Sequence, residues 1–537
     1  MSILVSSVDV QSEPCQTNLR EMSQLLDQVK EAEAKILEAD ERARPKFEKR
    51  NQLTPRDRIS LLLDPGAPFL ELSALAGFMM HDDKDGSGAG GGSICGIGFV
   101  NGVRVLAMAS NSAIKGGTIS PMGLKKSLRA QEIALQNKLP VIFLVESGGA
   151  NLNYQSEIFI DGGQGFANQA RLSAAGIPQI TVVHGSSTAG GAYFPGMSDY
   201  VVMVKKRARV FLAGPPLLKA ATGEIATDEE LGGAEMHAQV AGTAEYLAED
   251  DRDAIRLARD VVRALGWNDG VTLEQASGPS PEYSSSQLMA VTPADFKTHY
   301  DVREVITRIV DASEFTEFKQ HYEPYTICGH AKIDGYACGL IGNNGPITAK
   351  GAVKAAQFIQ LCCQSKTPII YLQNTTGFMV GTEAEQSGIV KHGSKMLQAV
   401  ANADVPQITL VIGASFGAGN YGMCGRGLSP RFIFAWPNAR VGVMGAQQAA
   451  GVMSEVTAAK MARAGKTPDP AMLESMKAQI VARMEHESSA LFSTARLWDD
   501  GIIDPRDSRK LLSFLLATCR EADQRGLAPN SFGVARM

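Results

Sequence analysis

Two stretches of small residues, one in each half of the chain, carry the arrangement best suited to chemistry. Ile177 to Tyr193 reads IPQITVVHGSSTAGGAY, and Val405 to Tyr421 reads VPQITLVIGASFGAGNY. They align without a gap at an offset of 228 residues, 177 to 405. Each runs from Pro through a β-branched strand pattern and breaks into a glycine pair or near-pair, Gly190-Gly191 and Ala418-Gly419. A buried strand that ends in such a turn exposes backbone N–H groups, a geometry that suits a developing negative oxygen. Each copy has a second small-residue turn upstream. PVIFLV (Pro140 to Val145) leads to Ser147-Gly148-Gly149-Ala150, and PIIYL (Pro368 to Leu372) leads to Thr376-Gly377, again 228 apart.

Side-chain machinery is sparse by contrast. The chain has no GxSxG elbow, no GxxxxGK[ST] loop and no GxGxxG opening a helix with an acid downstream. His184 precedes the first turn, but its counterpart is Ile412, so His184 reads as strand core. Glu146 has the position of a base, yet its counterpart is Asn374. What the halves share is backbone, two neighbouring turns each. Two oxyanion holes without a shared base would stabilise enolate-like charge on two different groups.

The elements that must position these turns follow from the pattern. With 537 residues the chain exceeds one ordinary core, and 44% hydrophobic content is that of a globular protein. A net charge of −5 offers no basic footprint for nucleic acid. No apolar run is long enough to span a membrane. Asp9 and Glu13 in the first twenty residues argue against a secretory signal, and the single Arg20 against a transit peptide. The eight cysteines lack CxxC pairing and the eight histidines lack HExxH or HxH clusters, so a reduced cytoplasmic compartment and no metal site are expected.

In chain order, residues 18 to 50 have helical spacing, and Thr54 caps a second helix with Pro55 in its first turn and Gly66 after its end. DDKDGSGAGGG (82 to 92) reads as an exposed flexible loop. Asn101-Gly102 joins a hairpin, and Asp334-Gly335 joins its repeat. Strands alternating with helices, with glycine turns at strand ends, indicate a parallel-type α/β layer. Residues 270 to 292, rich in Ser, Pro, Gly and Glu, mark a linker. The expected division is 1–92 as a helical lead-in, 93–269 as one domain, 270–292 as linker and 293–537 as its duplicate.

Longer motifs then resemble a known family. LTPRDRISLLLD, KGGT with KKSLRAQEIA, ESGGANL, GSSTAGGAYFPGMSD, FLAGPPLLKAATGE, LGGAEMH, AEDD, IGNNG, TGFMVG, SFGAGNYGM and LWDDGIIDPRD span the chain. Together they are similar to the β (carboxyltransferase) subunits of biotin-dependent acyl-CoA carboxylases. ASFGAGNYGM points to the methylcrotonyl-CoA and geranyl-CoA subgroup. The resemblance implies two duplicated crotonase-like β-β-α superhelix domains. It implies a carboxybiotin that breaks down to CO2 and a biotin enolate, whose nitrogen takes the acyl-CoA proton.

Carried over by position, the resemblance gives Gly148, Gly149, Gly190 and Gly191 to the thioester oxygen. Thr376, Gly377, Ala418 and Gly419 go to the biotin carbonyl. Substrate contacts fall to Lys115, Gly116, Gly117, Ser147, Ala150, Gly162, Gly163, Gly165, Phe166, Ala192 and Tyr193, and biotin contacts to Phe378, Phe416, Asn420 and Tyr421. Biotin itself is expected on a biotin carboxylase/biotin carrier α subunit, because Ser475-Met476-Lys477-Ala478 is the nearest approach to AMKM and lies in a helical pattern. The family further implies a β homo-hexamer within an α6β6 holoenzyme, with each site completed by two subunits, and no metal in this subunit.

The segment QSEIFIDGGQGFANQ (Gln155 to Gln169) bears on the acyl group. Methylcrotonyl-CoA subunits carry a longer, bulkier middle there. Here Gly162, Gly163 and Gly165 leave Phe166 as the only large side chain of that middle, which predicts a short loop roofing a roomier pocket and a preference for geranyl-CoA-type esters. Two other readings stay open on residues alone: a hydratase, isomerase or biotin-linked decarboxylase on the same fold, and a non-catalytic scaffold. Intact turns weigh against the scaffold, and missing paired acids against the hydratase.

Overall fold

In a computed structural model the chain is described over residues 2–272, 277–465, 467 and 469–535. It forms two compact units, each with its own mixed sheet. The N-unit comprises residues 31–273, 495–497 and 518–537, and the C-unit comprises 1–30, 274–494 and 498–517. This division cuts within the predicted linker. Residues 273–276 of that linker lie outside the described residues. Its C-terminal part is not a spacer, because Leu288–Val291 is a buried helical turn of the C-unit. Four consecutive apolar residues, LMAV, explain why that segment packs.

The N-unit sheet is built on an antiparallel hairpin and continued by parallel strands. Ser93–Val100 pairs with Val103–Ser110 around Asn101-Gly102, both in the left-handed region as a tight turn requires. Val141–Ser147, Gln179–Thr188 and Tyr200–Val204 then add in parallel, each preceded by a crossover. In the C-unit Thr326–Ile333 and Tyr336–Asn343 form the hairpin around Asp334-Gly335. Ile369–Thr375, Gln407–Phe416 and Phe432–Ala435 follow in parallel. The strand cores are almost entirely buried, as continuous apolar runs covered on both faces must be.

Local sequence explains most of the remaining elements. The helix Glu13–Lys49 includes Pro45 near its end, and Pro55–Leu62 begins at Thr54 in a capping box with Asp57. The predicted loose loop at 82–92 is instead tied down. Asp83 accepts from the amides of Met79, Gly86 and Gly88, and the buried Lys126 donates Nζ to the carbonyls of Gly90 (3.1 Å) and Ser93 (2.7 Å). Glycine composition suggested flexibility, but polar partners further along the chain satisfy the backbone. Lys354, which is 228 residues after Lys126, does the same for Tyr322 and Glu323 at 3.0 and 3.1 Å. The segment Gln155 to Gln169 is also not a loop. It lies within the helix Gln155–Ala174, whose buried positions Ile158, Gly165, Gln169 and Leu172 follow helical spacing. No described helix is long and apolar enough to cross a membrane.

One buried acid gives the C-unit a pH-dependent term. Asp499 and Asp500 are both buried, and Asp500 accepts from the Ile433 amide at 2.9 Å. Burial, aided by the neighbouring Asp500 charge and opposed by a Thr494 hydrogen bond, pushes Asp499 up to about 7 from 3.8. A raised carboxyl pKa means that the unfolded chain ionises first as pH rises. Stability therefore falls between about pH 4 and 7, at up to about 1.4 kcal/mol per pH unit for this one proton, and levels off above that. Asp499→Asn is expected to flatten this window in chemical denaturation curves. An unchanged slope would show that Asp499 does not carry the effect.

Candidate active site

In the N-unit two parallel strands deliver two turns to the same place. Val141–Ser147 runs in register with Gln179–Thr188 as far as Val145 opposite Val183, then shifts so that Ser147 faces Ser187. Ser147 Oγ donates to the Gly117 carbonyl at 2.9 Å and accepts from the Gly149 amide at 3.1 Å. The Gly149 carbonyl takes the Ile119 amide at 2.9 Å. The N–H of Gly149 is thus engaged within the turn. The exposed Gly148 amide makes no hydrogen bond among the described residues.

The second turn is the short helical turn Ala189–Ala192, and no side chain caps it. First-turn amides of a helix have no intrahelical acceptor. Gly190 sits in this turn, exposed, and a Cβ there would meet nothing within 4 Å. Gly191 is buried, and its carbonyl accepts from Ser187 Oγ at 2.9 Å. Ala189 has φ +53°, a left-handed conformation that costs an L-residue roughly 1–2 kcal/mol. Its counterpart Gly417 has φ +55°. The strained position is thus repeated and relieved by glycine only in the second copy.

The C-unit reproduces the arrangement. Thr375 faces Ser415 after the same register shift, and Thr375 Oγ1 accepts from the Gly377 amide at 3.2 Å. The Gly377 carbonyl takes the Ile347 amide at 2.9 Å. Gly417–Gly422 is a short helix that leaves Ala418 exposed and Gly419 buried in its uncapped first turn. The two turns touch: a Cβ on Gly419 would lie 2.8 Å from Gly377 Cα and 2.9 Å from Thr375 Cγ2. Gly377, like Gly149, therefore has its amide engaged, and the exposed Thr376 amide makes no hydrogen bond among the described residues.

Around the turns, the predicted contacts divide. Lys115, half-exposed, faces Asp82 at 3.6 Å, and Gly116 and Gly117 both have positive φ. Ala150 is exposed and Ala192 buried. Phe166 packs edge-on against Tyr193 with ring centroids 5.5 Å apart, which brings the helix Gln155–Ala174 to the residue that follows the Gly190 turn. Gly162, one helical turn before Phe166, lies on the same face, while Gly163 is exposed and Gly165 is buried, its carbonyl taken by Gln131. In the C-unit Tyr421 is half-exposed, and the buried Phe416 packs against Phe296 at 5.3 Å. Phe378 and Asn420 do not present free side chains. Phe378 packs among core residues, and Asn420 Nδ2 donates to Ser415 Oγ at 2.6 Å. Packing of a partly buried aromatic ring and a hydrogen bond from the amide nitrogen account for both.

The halves differ behind the turns. Glu146 accepts from Arg58 Nη1 at 2.7 Å and from Ser112 Oγ at 3.0 Å. Arg58 also reaches Asp251, which holds His184 Nδ1 at 3.0 Å and Arg207 at 3.0 Å. Burial opposes the charge of Asp251, yet the His184 hydrogen bond, the His184 and Arg58 charges and the Leu53 amide together hold it well below the usual carboxylate range. Burial, with Arg58 nearby, pushes His184 down. Sequence reasoning placed His184 in the core but missed Arg58, Asp251 and the two buried lysines. Lys126 and Lys354 were legible as an identity at the 228 offset, whereas Arg58 and Asp251 have no such signal. In the C-unit, Asn374 stands in place of Glu146 and borders a cavity of about 550 Å3, whose wall also includes Thr376, Phe416, Tyr300 and Arg440.

Comparison with known proteins gives one consistent result. The carboxyl transferase domain family matches residues 46–529. A probable methylcrotonoyl-CoA carboxylase β chain, mitochondrial, of Drosophila melanogaster is 47% identical, over 100% of this chain and 95% of its own length. A biotin-dependent 3-methylcrotonyl-coenzyme A carboxylase β1 subunit of Mycobacterium tuberculosis is 48% identical over 94% of this chain and 95% of its own. The crystal structure of the P. aeruginosa geranyl-CoA carboxylase β subunit superposes with TM-score 0.94 at 60% identity, covering 100% of both chains.

Proposed function

This chain belongs to the carboxyl transferase family of biotin-dependent acyl-CoA carboxylases, and on that premise we propose that it carboxylates a long, branched α,β-unsaturated acyl-CoA of the geranyl-CoA type at its β-methyl carbon. The observation that carries the reading is the doubled pair of turns, with a free amide on each strand end in both units. Full-length similarity to a geranyl-CoA carboxylase β subunit supports the acyl class, at higher identity than the methylcrotonoyl-CoA carboxylase relatives.

Roles follow from the backbone. In the N-unit the Gly148 and Gly190 amides are available to hold the thioester oxygen as it gains charge. In the C-unit the Thr376 and first-turn Ala418 and Gly419 amides are available to the ureido carbonyl. Biotin, carried on an α subunit, supplies the carboxyl group when bound. The cavity beside Thr376 and Phe416 is of a size that takes a small bicyclic ring, within the roughly 300–1,000 Å3 of ligand pockets. Glu146 is engaged by Arg58 and Ser112 and so offers no free base at the N-unit turn. The working assembly is a β homo-hexamer with biotin carboxylase/biotin carrier α subunits.

The chain mixed with a biotinylated α subunit, ATP, labelled bicarbonate and a panel of CoA esters tests this. ATP-dependent incorporation into geranyl-CoA above methylcrotonyl-CoA is expected, and no incorporation with any ester would defeat the proposal. The acyl preference has its own test. Because Gln155–Ala174 is a continuous helix, a substitution rather than an insertion is informative, and Gly162 shares the face of Phe166. Gly162→Phe is expected to lower kcat/KM for geranyl-CoA by roughly 10-fold or more, the worth of a few unburied methylenes, while sparing methylcrotonyl-CoA. Equal losses for both esters would remove this helix from the acyl pocket.

A further inference from the structure

The duplicated halves keep an arginine at one register position and treat its charge differently. Arg209 pairs with Ser186 on the strand leading to the Gly190 turn, and Arg440 pairs with Ala414 on the equivalent strand, 186 and 414 being 228 apart. Each arginine is also bridged to a downstream segment, at Gly233 and Ser489 respectively. In the N-unit Arg209 is neutralised by Asp228 at 3.0 Å and Glu229 at 3.6 Å. Arg440 has no carboxylate within ion-pair distance among the described residues. Its Nη1 donates to the Glu485 carbonyl at 2.9 Å.

Arg440 is only partly exposed and lines the C-unit cavity together with Thr376 and Phe416. Burial pushes its pKa down, opposed by the more distant charges of Glu485 and Asp295, as expected of a cation that has lost water without gaining a counter-ion. The other charged groups lining the cavity, Asp295, Lys297 and Glu485, are exposed to water, and Lys297 lies over the Phe296 ring. Their fields are screened, so the least hydrated of these charges is the guanidinium. A planar fork of donors in that state favours a carboxylate.

We propose that Arg440 recognises the carboxylate borne by the ureido ring of the charged carrier, so that this cavity takes carboxylated biotin in preference to discharged biotin. The inference rests on the reading of the C-unit as the carrier side. It assigns a direction to carrier exchange: the attraction is present on arrival and gone once the carboxyl group has been passed on.

Calorimetric titration of the full-length chain in its native assembly tests it. The ligands are the methyl esters of N-carboxybiotin and of biotin, in which the side-chain acid is masked. The wild-type chain is expected to bind the carboxylated ester more tightly by roughly 10- to 100-fold, the range of a charge-assisted hydrogen bond. Arg440→Gln is expected to lose that preference while its affinity for the biotin ester changes less than about twofold, and Arg209→Gln to keep it. If Arg440→Gln does not assemble, Arg440→Lys carries the test: it keeps the charge but not the planar fork of donors, so the preference is expected to fall several-fold, and a preference unchanged from wild type would overturn the role. Wild-type chains that bind both esters equally, or Arg440→Gln chains that keep the preference, overturn this inference and leave the proposed function standing. Binding of neither ester by the wild-type chain overturns both.

Discussion

Gly190→Val is expected to lower the carboxylation rate constant by roughly 10²- to 10³-fold, the cost of one oxyanion donor, with little change in melting temperature. The position is exposed and a Cβ there meets nothing within 4 Å, so the fold has room for the side chain. The space it would fill is the approach to the uncapped first turn, where the thioester oxygen is proposed to sit. Steady-state turnover of the assembled holoenzyme, beside a thermal melt, separates the two effects. Gly419→Ala is the contrasting case. Its Cβ would lie 2.8 Å from Gly377 Cα, so the paired turns of the C-unit must move apart. That variant is expected to lose activity and about 1–3 kcal/mol of stability together. Near-normal turnover of Gly190→Val would remove this turn from the chemistry.

The largest stability effect is expected at Arg58. Its side chain is 1% exposed and joins Glu146 and Asp251. Arg58→Met leaves the buried Asp251 and the partly buried Glu146 with one fewer cation, a change that costs about 3–5 kcal/mol when a buried pair is broken. The sign of the pH dependence follows from Asp251, whose pKa is held low by its partners. A depressed carboxyl pKa contributes stability above the ordinary carboxylate range and loses it as pH falls below that range. Removal of Arg58 weakens this support, so the deficit should be greatest near neutral pH and shrink as the acids protonate. Urea titrations at pH 8 and at about pH 3, below the ordinary aspartate range, measure it. A deficit below about 1 kcal/mol at pH 8 would mean that solvent or Arg207 replaces the lost charge.

Much of this architecture is local and was therefore legible. Thr54 and Asp57 cap a helix within four residues, and Asn101-Gly102 and Asp334-Gly335 close hairpins through their own backbone preferences. The strand runs ending in small residues identified both turns, and the 228-residue repeat paired them. Duplication gave a second reading of each position, which separated His184 and Glu146 from the shared chemistry because Ile412 and Asn374 replace them.

What the sequence left undecided depended on partners distant along the chain. Glycine-rich composition suggested that 82–92 is loose and that 155–169 is a loop. Asp83 and a buried Lys126 satisfy the first, and packing of Ile158, Gly165, Gln169 and Leu172 makes the second a helix despite its low intrinsic propensity. Which glycine amide remains free was settled only by side chains two residues away. Ser147 and Thr375 hydroxyls turn back onto Gly149 and Gly377, leaving Gly148 and Thr376. The Arg58–Glu146–Asp251 network spans 193 residues of sequence, from 58 to 251, and the unpaired state of Arg440 appears only against its paired counterpart Arg209. Charge pairing and burial are properties of three-dimensional proximity, so no pattern along the chain encodes them, whereas caps, turns and strand periods are set by neighbours within a few residues.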